Sequence, residues 1–440
     1  TTRGLYYQRA GIEKEEAFAG KWAQPRDHHP EDGIMKLYYT KYPSVLSGEG
    51  GSSEDSILAN VVGEITDWGW GWYHDAGDWD AYVHHTEVPF FLLAAYEMAP
   101  QNFGDSELNI PESGNGVPDI LDEAAWLINY FRRNQQASGG IAGGRANSDF
   151  NKKPDASPSY EDDRPWYVSG EDPHTSYLFA GLVTQYAYCL ELAGITDSTS
   201  MLLAEARAAY QWAGSNLDIA PDVKVKGATL ADLQMYAAAN LFKISGETSY
   251  QDEFIALNRV TSAVTSLSGG DYNQTKAIWS YITAPDHPGI DAALKTLLSQ
   301  ASIKYAINDF VDPAKKRSGR MGYSWNRPAV VGSTTTPVSI APMYAWYVAT
   351  GEQKQEFLDY MQTTADFFLG NNPLNTSWIT GLGDRHPERL LHLDSRYDKN
   401  DLDEYVPGLV PYGPLRHGDH FKGEDADGPH DADFAKIRSY

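Results

Sequence analysis

Apolar residues recur three and four positions apart in long stretches of this chain, the pattern of helices that bury one face. The first such stretch is TEVPFFLLAAYEMA at residues 86–99, and the last is KQEFLDYMQTTADFFLG at residues 354–370. Seven more lie between them, at residues 117–135, 174–194, 201–217, 229–246, 249–267, 289–309 and 338–351. Glycine follows the pattern at Gly194 and Gly370, where it favours a helix end. The pattern predicts at least nine helices, few strands and an all-α fold.

Long connections rich in Gly, Pro, Trp and Asp separate the helices, notably at residues 136–173 and 380–440. Paired helices with elaborated loops at one end are typical of a toroid of helical hairpins, an α/α barrel whose loops line a cleft. A repeat solenoid is the alternative, but the chain shows no fixed sequence period. No linker-like tract divides the chain, so we expect one domain over residues 1–440.

Charge restricts the class of partner. The 60 Asp and Glu residues against 35 Lys and Arg residues give a net charge of -25, which argues against binding nucleic acid or an anionic membrane. Aromatic residues make up 12% of the chain, and polar-tipped rings suit the apolar faces of sugars as well as protein cores. A neutral partner is therefore expected.

The single cysteine, Cys189, lies in an apolar run and is interpreted as a small hydrophobic residue. No window of 18 uninterrupted apolar residues suggests membrane insertion, and no signal peptide is visible at the start. We expect a secreted or extracytoplasmic protein whose export signal was removed upstream.

The stretch WYHDAGDWDAYVHH, at residues 72–85, carries the most concentrated candidate chemistry. Asp75 and Asp78 are three positions apart, which places both carboxylates on one side of a turn, and Ala76 and Gly77 leave room for a ligand. Such a pair can hold a water molecule while one Asp removes its proton. Capping of the following helix is the simpler alternative.

A metal site is a further alternative for the same stretch, using His74, His84, His85 and the aspartates. The histidines lack a sustained ligand spacing, so this reading is not favoured. The acidic tail at residues 417–434 offers oxygen ligands for calcium, but it lacks the distal bidentate Glu of a calcium loop and is better explained as solvated.

Four segments together resemble glycoside hydrolase family nine. WYHDAGDWDAYV is similar to the family's catalytic aspartate motif, and LNIPESGNGVPDILDEAAWLINYF at residues 108–131 resembles a helix entry segment of the family. GYSWNRPAVVGS at residues 322–333 and FFLGNNPLNTSWITGLGDRHPER at residues 367–389 resemble two later family segments in the same order. The opening LYYQRAG at residues 5–11 is similar to the junction in members that carry an immunoglobulin-like domain ahead of the barrel, so such a domain is expected upstream.

The resemblance implies an (α/α)6 barrel that hydrolyses β-1,4-glucosidic bonds in cellulose or a related β-glucan, with inversion at the anomeric carbon. Carried over by position, Asp78 is the general base and Asp75 helps to hold the nucleophilic water. An inverting site places its acid ~6.5 to 9.5 Å from the base, which requires a different segment. The family requires no cofactor, and it often carries a structural calcium ion.

Substrate-binding residues also follow from the resemblance. Tyr323 and Trp325 match an aromatic segment that offers a stacking face to a glucosyl unit, although both could be core rings. His392 matches one of two histidines that hydrogen-bond sugar hydroxyls, and Arg389 lies just before it. His74 could donate to a sugar hydroxyl or orient Asp75.

Two departures from the family pattern qualify these assignments. The chain has LLHL at residues 390–393, where the family has PHHR, so one histidine and the arginine are replaced by leucines. The family's acid is a glutamate some fifty residues further on, and the only later glutamates, Glu404 and Glu424, lack its neighbours. We expect that the barrel lacks its last helix in this chain, and the general acid is not identified.

The sequence leaves three activities open: an endo-β-1,4-glucanase, an exo-acting glucosidase, glucosaminidase or xyloglucanase of the same family, and a carbohydrate-binding barrel without hydrolysis. Trp79 and Asp80, which replace the family's usual residues, and the altered histidine motif keep the second open. The missing general acid keeps the third activity, a carbohydrate-binding barrel without hydrolysis, open. A β-glucan is the expected partner in each case.

Overall fold

The computed structural model describes residues 2–47, 54–74, 83–147, 157–265, 267, 274–317, 320–322, 331–372, 375–388, 392–397 and 404–410. Its helices are α1 Thr2–Tyr6, α2 Glu16–Ala19, α3 Ser44–Ser47, α4 Glu54–Ala59, α5 Glu87–Met98, α6 Asp119–Arg133, α7 Pro173–Leu192, α8 Thr199–Gly214, α9 Leu230–Ser245, α10 Thr248–Leu257, α11 Thr275–Ile282, α12 Ala292–Ala306, α13 Asp312–Lys315, α14 Val331–Val348, α15 Gly351–Phe368 and α16 Leu393–Arg396. Its strands are β1 Leu37–Pro43, β2 Val61–Ile65, β3 Gly143–Asn147 and β4 Trp166–Gly170.

The long helices pack as hairpins in a ring. Helices α5, α7, α9, α11 and α14 contact one another in turn, and α14 returns to α5. Helices α6, α8, α10, α12 and α15 lie outside them, each against the helix that precedes it along the ring. The described part of the chain thus contains five hairpins of an α/α barrel, which confirms the predicted mainly helical fold; the single-domain boundary stays a prediction.

Helix ends follow local chemistry. The Thr229 side chain and the Asp232 side chain form a reciprocal capping box at the start of α9. Gly194, just after α7, and Gly370, just after α15, have positive φ values, as the sequence predicts for helix stops. The helical pattern at 249–267 is longer than the helix it produces, because α10 ends at Leu257.

A four-stranded sheet is an element that the helical periodicity did not predict. Its strand order is β2-β1-β4-β3, with β1 and β4 parallel and the two outer pairs antiparallel. Every residue of β4 is buried, so this strand lacks the alternation by which a strand is recognised. The sheet packs beside the N-terminal segment, where the fully buried Trp166 ring lies 5.1 Å from the His28 ring.

The N-terminal segment reaches the aspartate motif through a short backbone pairing. Ala10 N donates to Trp72 O at 2.8 Å, and His74 N donates to Gln8 O at 2.6 Å. This pairing fixes the backbone immediately before residue 75. Within the ranges given above, no helix combines the length and apolar character needed to cross a membrane.

Candidate functional site

The segment that carries the predicted catalytic aspartates is fixed at both ends. Its upstream end is the buried His74, and its downstream end is the fully buried Val83, which opens the turn leading into α5. Residues 75–82 themselves, including Asp75 and Asp78, lie outside the described residues. The structure therefore shows the two anchors of the motif, and the roles of its aspartates stay predictions.

Arg9 and Glu123 form a buried ion pair directly behind the upstream anchor. Arg9 Nη2 lies 3.1 Å from Glu123 Oε2, and both side chains are 0% exposed. The Tyr73 hydroxyl donates to Glu123 Oε1 at 2.7 Å, so the pair also holds the residue next to His74. Burial alone would lower the pKa of Arg9, but Glu123 and Glu112 outweigh it and raise that pKa above its ordinary value.

Aromatic side chains pack around the backbone at residues 72–74. The Arg9 guanidinium lies 4.8 Å from the Trp126 ring, whose indole N–H donates to Trp72 O at 2.9 Å. The Trp72 indole N–H in turn donates to His85 Nδ1 at 3.0 Å. His85, considered as a metal ligand from sequence, thus supports the backbone segment at residues 72–74.

His74 contacts a buried carboxylate that the sequence analysis did not single out. Its Nε2 lies 3.0 Å from Asp27 Oδ2, and Lys14 Nζ donates to the same oxygen at 2.9 Å. Gly11 N donates to the other oxygen of Asp27 at 2.7 Å. Burial raises the pKa of Asp27, but Lys14 and His74 outweigh burial and hold this pKa well below its ordinary value. Asp27 is therefore an ionised carboxylate that holds Gly11, Lys14 and His74 together.

Asp27, His28 and His74 together form a three-donor cluster with metal-ligand chemistry. Their ligand atoms all lie within 4.8 Å of one another, and all three residues are buried. Lys14 already supplies a positive charge to the carboxylate, and a divalent ion on the same oxygen would have to displace that ammonium. The residues around the cluster thus favour the ammonium over a metal ion.

His392 is buried and makes contacts within the protein. Ser395 N donates to His392 Nδ1 at 3.2 Å, and Nε2 lies 2.8 Å from the side-chain amide of Gln8. Burial lowers the pKa of His392 to about 4, so the ring is neutral at pH 7. His74 and His392 therefore share one buried polar region, although they are far apart in sequence.

The remaining predicted substrate-binding residues fall in parts of the chain that the structure does not describe. Tyr323, Trp325 and Arg389 lie outside the described residues, as does the whole acidic tail, which the sequence analysis explained as solvated. Glu404 is exposed and forms an ion pair with Lys21 at the surface. The substrate-binding roles of His74 and His392 stay predictions.

One signal in the sequence points to the residues that were missed. Asp27 and His28 lie in the stretch RDHHP at residues 26–30, which places a carboxylate and two imidazoles side by side. Lys14 lies in the charged run EKEE at residues 13–16 and Asp394 in LDSR at residues 393–396, and neither pattern indicates a buried residue. Only folding reveals that they surround the same buried point.

The family model for glycosyl hydrolase family 9 matches residues 1–431 of this chain. The chain belongs to glycosyl hydrolase family 9. This confirms the resemblance and, with it, the (α/α)6 architecture expected for family members. The matched range includes every site residue predicted from the sequence.

Two curated relatives are similar over most of the chain. The chain is 25% identical over 434 residues to a cellulose 1,4-beta-cellobiosidase of Acetivibrio thermocellus, covering 87% of the chain and 46% of the relative. It is 24% identical over 441 residues to a xyloglucan-specific endo-beta-1,4-glucanase of Bacteroides ovatus, covering 94% of the chain and 69% of the relative. The chain therefore spans about half the length of the first relative and about two thirds of the second.

A solved structure described as Bacteroides ovatus GH9 superposes with a TM-score of 0.74 at 21% identity. The match covers 94% of this chain and 75% of the other. At this identity the likeness concerns the fold, and it agrees with the ring of hairpins described above.

Proposed function

We propose that this family 9 chain is an inverting glycoside hydrolase that cleaves β-1,4-glucosidic bonds of cellulose or a related β-glucan. The observation that carries the proposal is the family match over residues 1–431, which contains the WYHDAGDWD motif. The two firmly held ends of that motif support it, because a catalytic segment needs a defined position. An endo-β-1,4-glucanase is the preferred activity.

In the proposed reaction Asp78 removes a proton from water as the water attacks the anomeric carbon, and Asp75 holds the second proton of that water. The leaving oxygen takes its proton from a carboxylic acid on another segment. These steps balance without a cofactor, because Asp78 accepts the proton that the water loses and the carboxylic acid supplies the proton that the leaving oxygen gains. Tyr323 and Trp325 are proposed to stack on glucosyl units, and Arg389 to bind their hydroxyls.

Proton NMR of cellohexaose hydrolysis tests the proposal. An inverting endo enzyme releases early α-anomer products of mixed length. Asp78→Ala should abolish turnover and retain oligosaccharide binding, whereas Asp80→Ala, a matched change in the same motif, should retain turnover. Full turnover by Asp78→Ala would reject the base assignment, and early β-anomer products would reject inversion.

Xyloglucan is the second candidate substrate, because one curated relative is named as specific for it. The leucines at 391 and 393, in place of the family's polar residues, also change the sugar-binding motif. Rates on cellohexaose, a xyloglucan oligosaccharide and a chitosan oligosaccharide, measured side by side, distinguish this from a glucanase or a glucosaminidase. Binding to all three with cleavage of none would favour the non-hydrolytic barrel.

A structural calcium ion and an extracytoplasmic location complete the proposal. Polysaccharides of this kind are too large to be taken up intact, so their hydrolases act outside the cell. The melting temperature before and after treatment with a calcium chelator, and after calcium is restored, tests the ion. Fractionation of the producing cells tests the location.

A further inference from the structure

Six buried polar residues around the upstream anchor are joined in a closed loop by hydrogen bonds and by the backbone between His392 and Asp394. We name this set the polar ring: Gln8, Asp27, His74, Ser159, His392 and Asp394. Its members come from five separate places in the chain, at residues 8, 27, 74, 159 and 392–394. The circuit joins the residue before Asp75 to the segment that carries His392.

The first half of the polar ring runs from His74 to Asp394 through Ser159. His74 Nε2 lies 3.0 Å from Asp27 Oδ2. The Ser159 hydroxyl lies 3.1 Å from that same Asp27 oxygen and 2.8 Å from Asp394 Oδ2. Because a hydroxyl has only one hydrogen, Ser159 shares it between two carboxylates. Ser159 N also donates to Asp394 Oδ1 at 2.6 Å.

The second half returns through the one-turn helix α16. Asp394 lies in this helix, and His392 caps it by accepting from Ser395 N at 3.2 Å. His392 Nε2 lies 2.8 Å from the side-chain nitrogen of Gln8. The main-chain carbonyl of Gln8 accepts from His74 N at 2.6 Å. The circuit therefore closes on the backbone of His74 itself.

Charge makes the Ser159 hydroxyl the critical link. Asp27 has Lys14 as a cationic partner, and Asp394 accepts from the Gln24 amide at 3.1 Å. Without the hydroxyl, two buried carboxylates would face each other with no hydrogen between them, and like charges repel strongly at low dielectric. Removal of this single group should therefore move the two segments apart.

We propose that Ser159 is a positioning residue for hydrolysis, and that the polar ring holds His74, the residue that directly precedes Asp75, at a fixed distance from the His392 segment. The inference rests on the hydrolytic function proposed above. The Ser159 hydroxyl contacts Asp27 and Asp394. It acts through Asp27 and Asp394, and small displacements of a catalytic segment are costly, since an error of ~1 Å can reduce a rate ~100-fold.

Steady-state kinetics on cellohexaose, or on whichever β-glucan the native protein cleaves, test the inference. Ser159→Ala should lower kcat by roughly 10- to 100-fold and leave KM within about 3-fold, because positioning of the water is lost while sugar contacts remain. Ser159→Thr keeps the hydroxyl and should restore most of kcat. Assays run well below the melting temperature of each variant separate positioning from unfolding.

Thr283→Val provides the matched control. Thr283 is also buried, and its hydroxyl also hydrogen-bonds a charged group, here by accepting from Lys243 Nζ at 2.8 Å. It lies at the C-terminal end of α11, whereas the aspartate motif leads into the N-terminal end of α5. This variant should lose stability and keep its native kcat.

Each outcome decides between the two ideas. Hydrolysis by the native protein with an unchanged kcat in Ser159→Ala would overturn the positioning inference and leave the proposed function standing. Equal losses of kcat in Ser159→Ala and Thr283→Val would overturn it as well. If Ser159→Ala does not fold, Asp394→Asn is judged by the same criteria. No hydrolysis of any β-glucan by the native protein would reject the proposed function itself.

Discussion

Removing either carboxylate partner of Arg9 should reveal how strongly burial determines the contribution of an ion pair to the free energy of unfolding. Arg9 Nη1 lies 2.9 Å from Glu112 Oε1, and Arg9 Nη2 lies 3.1 Å from Glu123 Oε2. The distances are similar, but the Glu112 side chain is 33% exposed and that of Glu123 is 0% exposed. The two substitutions therefore differ mainly in whether water can take the place of the removed carboxylate beside Arg9.

Glu123→Ala should lower the free energy of unfolding by about 3 to 5 kcal/mol, because it leaves the buried guanidinium without its inner partner. It also removes one acceptor of the Tyr73 hydroxyl, which keeps the Glu123 carbonyl at 2.8 Å. Glu112→Ala should cost about 1 kcal/mol or less, since water can reach the vacated position. Urea unfolding followed by tryptophan fluorescence measures both values.

A double substitution sharpens the test. Arg9→Met combined with Glu123→Leu replaces the buried charges by apolar groups of similar volume, and it should recover most of the stability lost in Glu123→Ala. Equal costs for Glu112→Ala and Glu123→Ala would refute the argument that burial sets the magnitude. Failure of the double variant to recover stability would show that the pair has a specific structural role.

Three further predictions concern pH, metal binding and packing. The folded chain binds a proton at His392 only below about pH 4, whereas an unfolded histidine binds one below about 6.5. The free energy of unfolding should therefore fall by roughly 3 kcal/mol as the pH is lowered from 6.5 to 4. His392→Asn should reduce this loss in pH-dependent unfolding, and an unchanged profile would contradict it. Lys14→Ala should let Zn²⁺ raise the melting temperature through the three-donor cluster, and an equal Zn²⁺ response in the native protein would contradict the role of the ammonium. Gly181→Ala should cost about 1 to 3 kcal/mol, because its new methyl group would overlap the Tyr236 ring; Gly214→Ala, whose nearest neighbour would be 3.4 Å away, is the control, and equal melting temperatures would contradict this reading.

The helices could be predicted from sequence because their signal is local. In α6 the apolar positions return every three or four residues, and they are the positions that the fold buries. The helix α11 was missed because its eight residues are too few to establish a period. Strand β4 was missed for a related reason, since it is buried on both faces and shows no alternation.

The candidate site was predictable only in its motif. The WYHDAGDWD stretch concentrates chemistry in a few positions, so the sequence alone identifies it. The partners that hold it include Lys14, which contacts Asp27 13 positions away, and Asp394, which contacts Ser159 235 positions away. Patterns of spacing carry no information about such contacts, and only the folded chain brings them together.

The closure of the polar ring has a consequence for the order in which parts of the protein fold during synthesis. The contact between Gln8 and His392 joins residues 384 positions apart, so it cannot form until nearly all of the described chain has left the ribosome. Hairpins such as α7 and α8 need only neighbouring residues, and local contacts of this kind form early and fast. The barrel hairpins should therefore assemble during synthesis, and the region around His74 should be completed last. Limited proteolysis of stalled nascent chains would show protected hairpins before this region becomes protected.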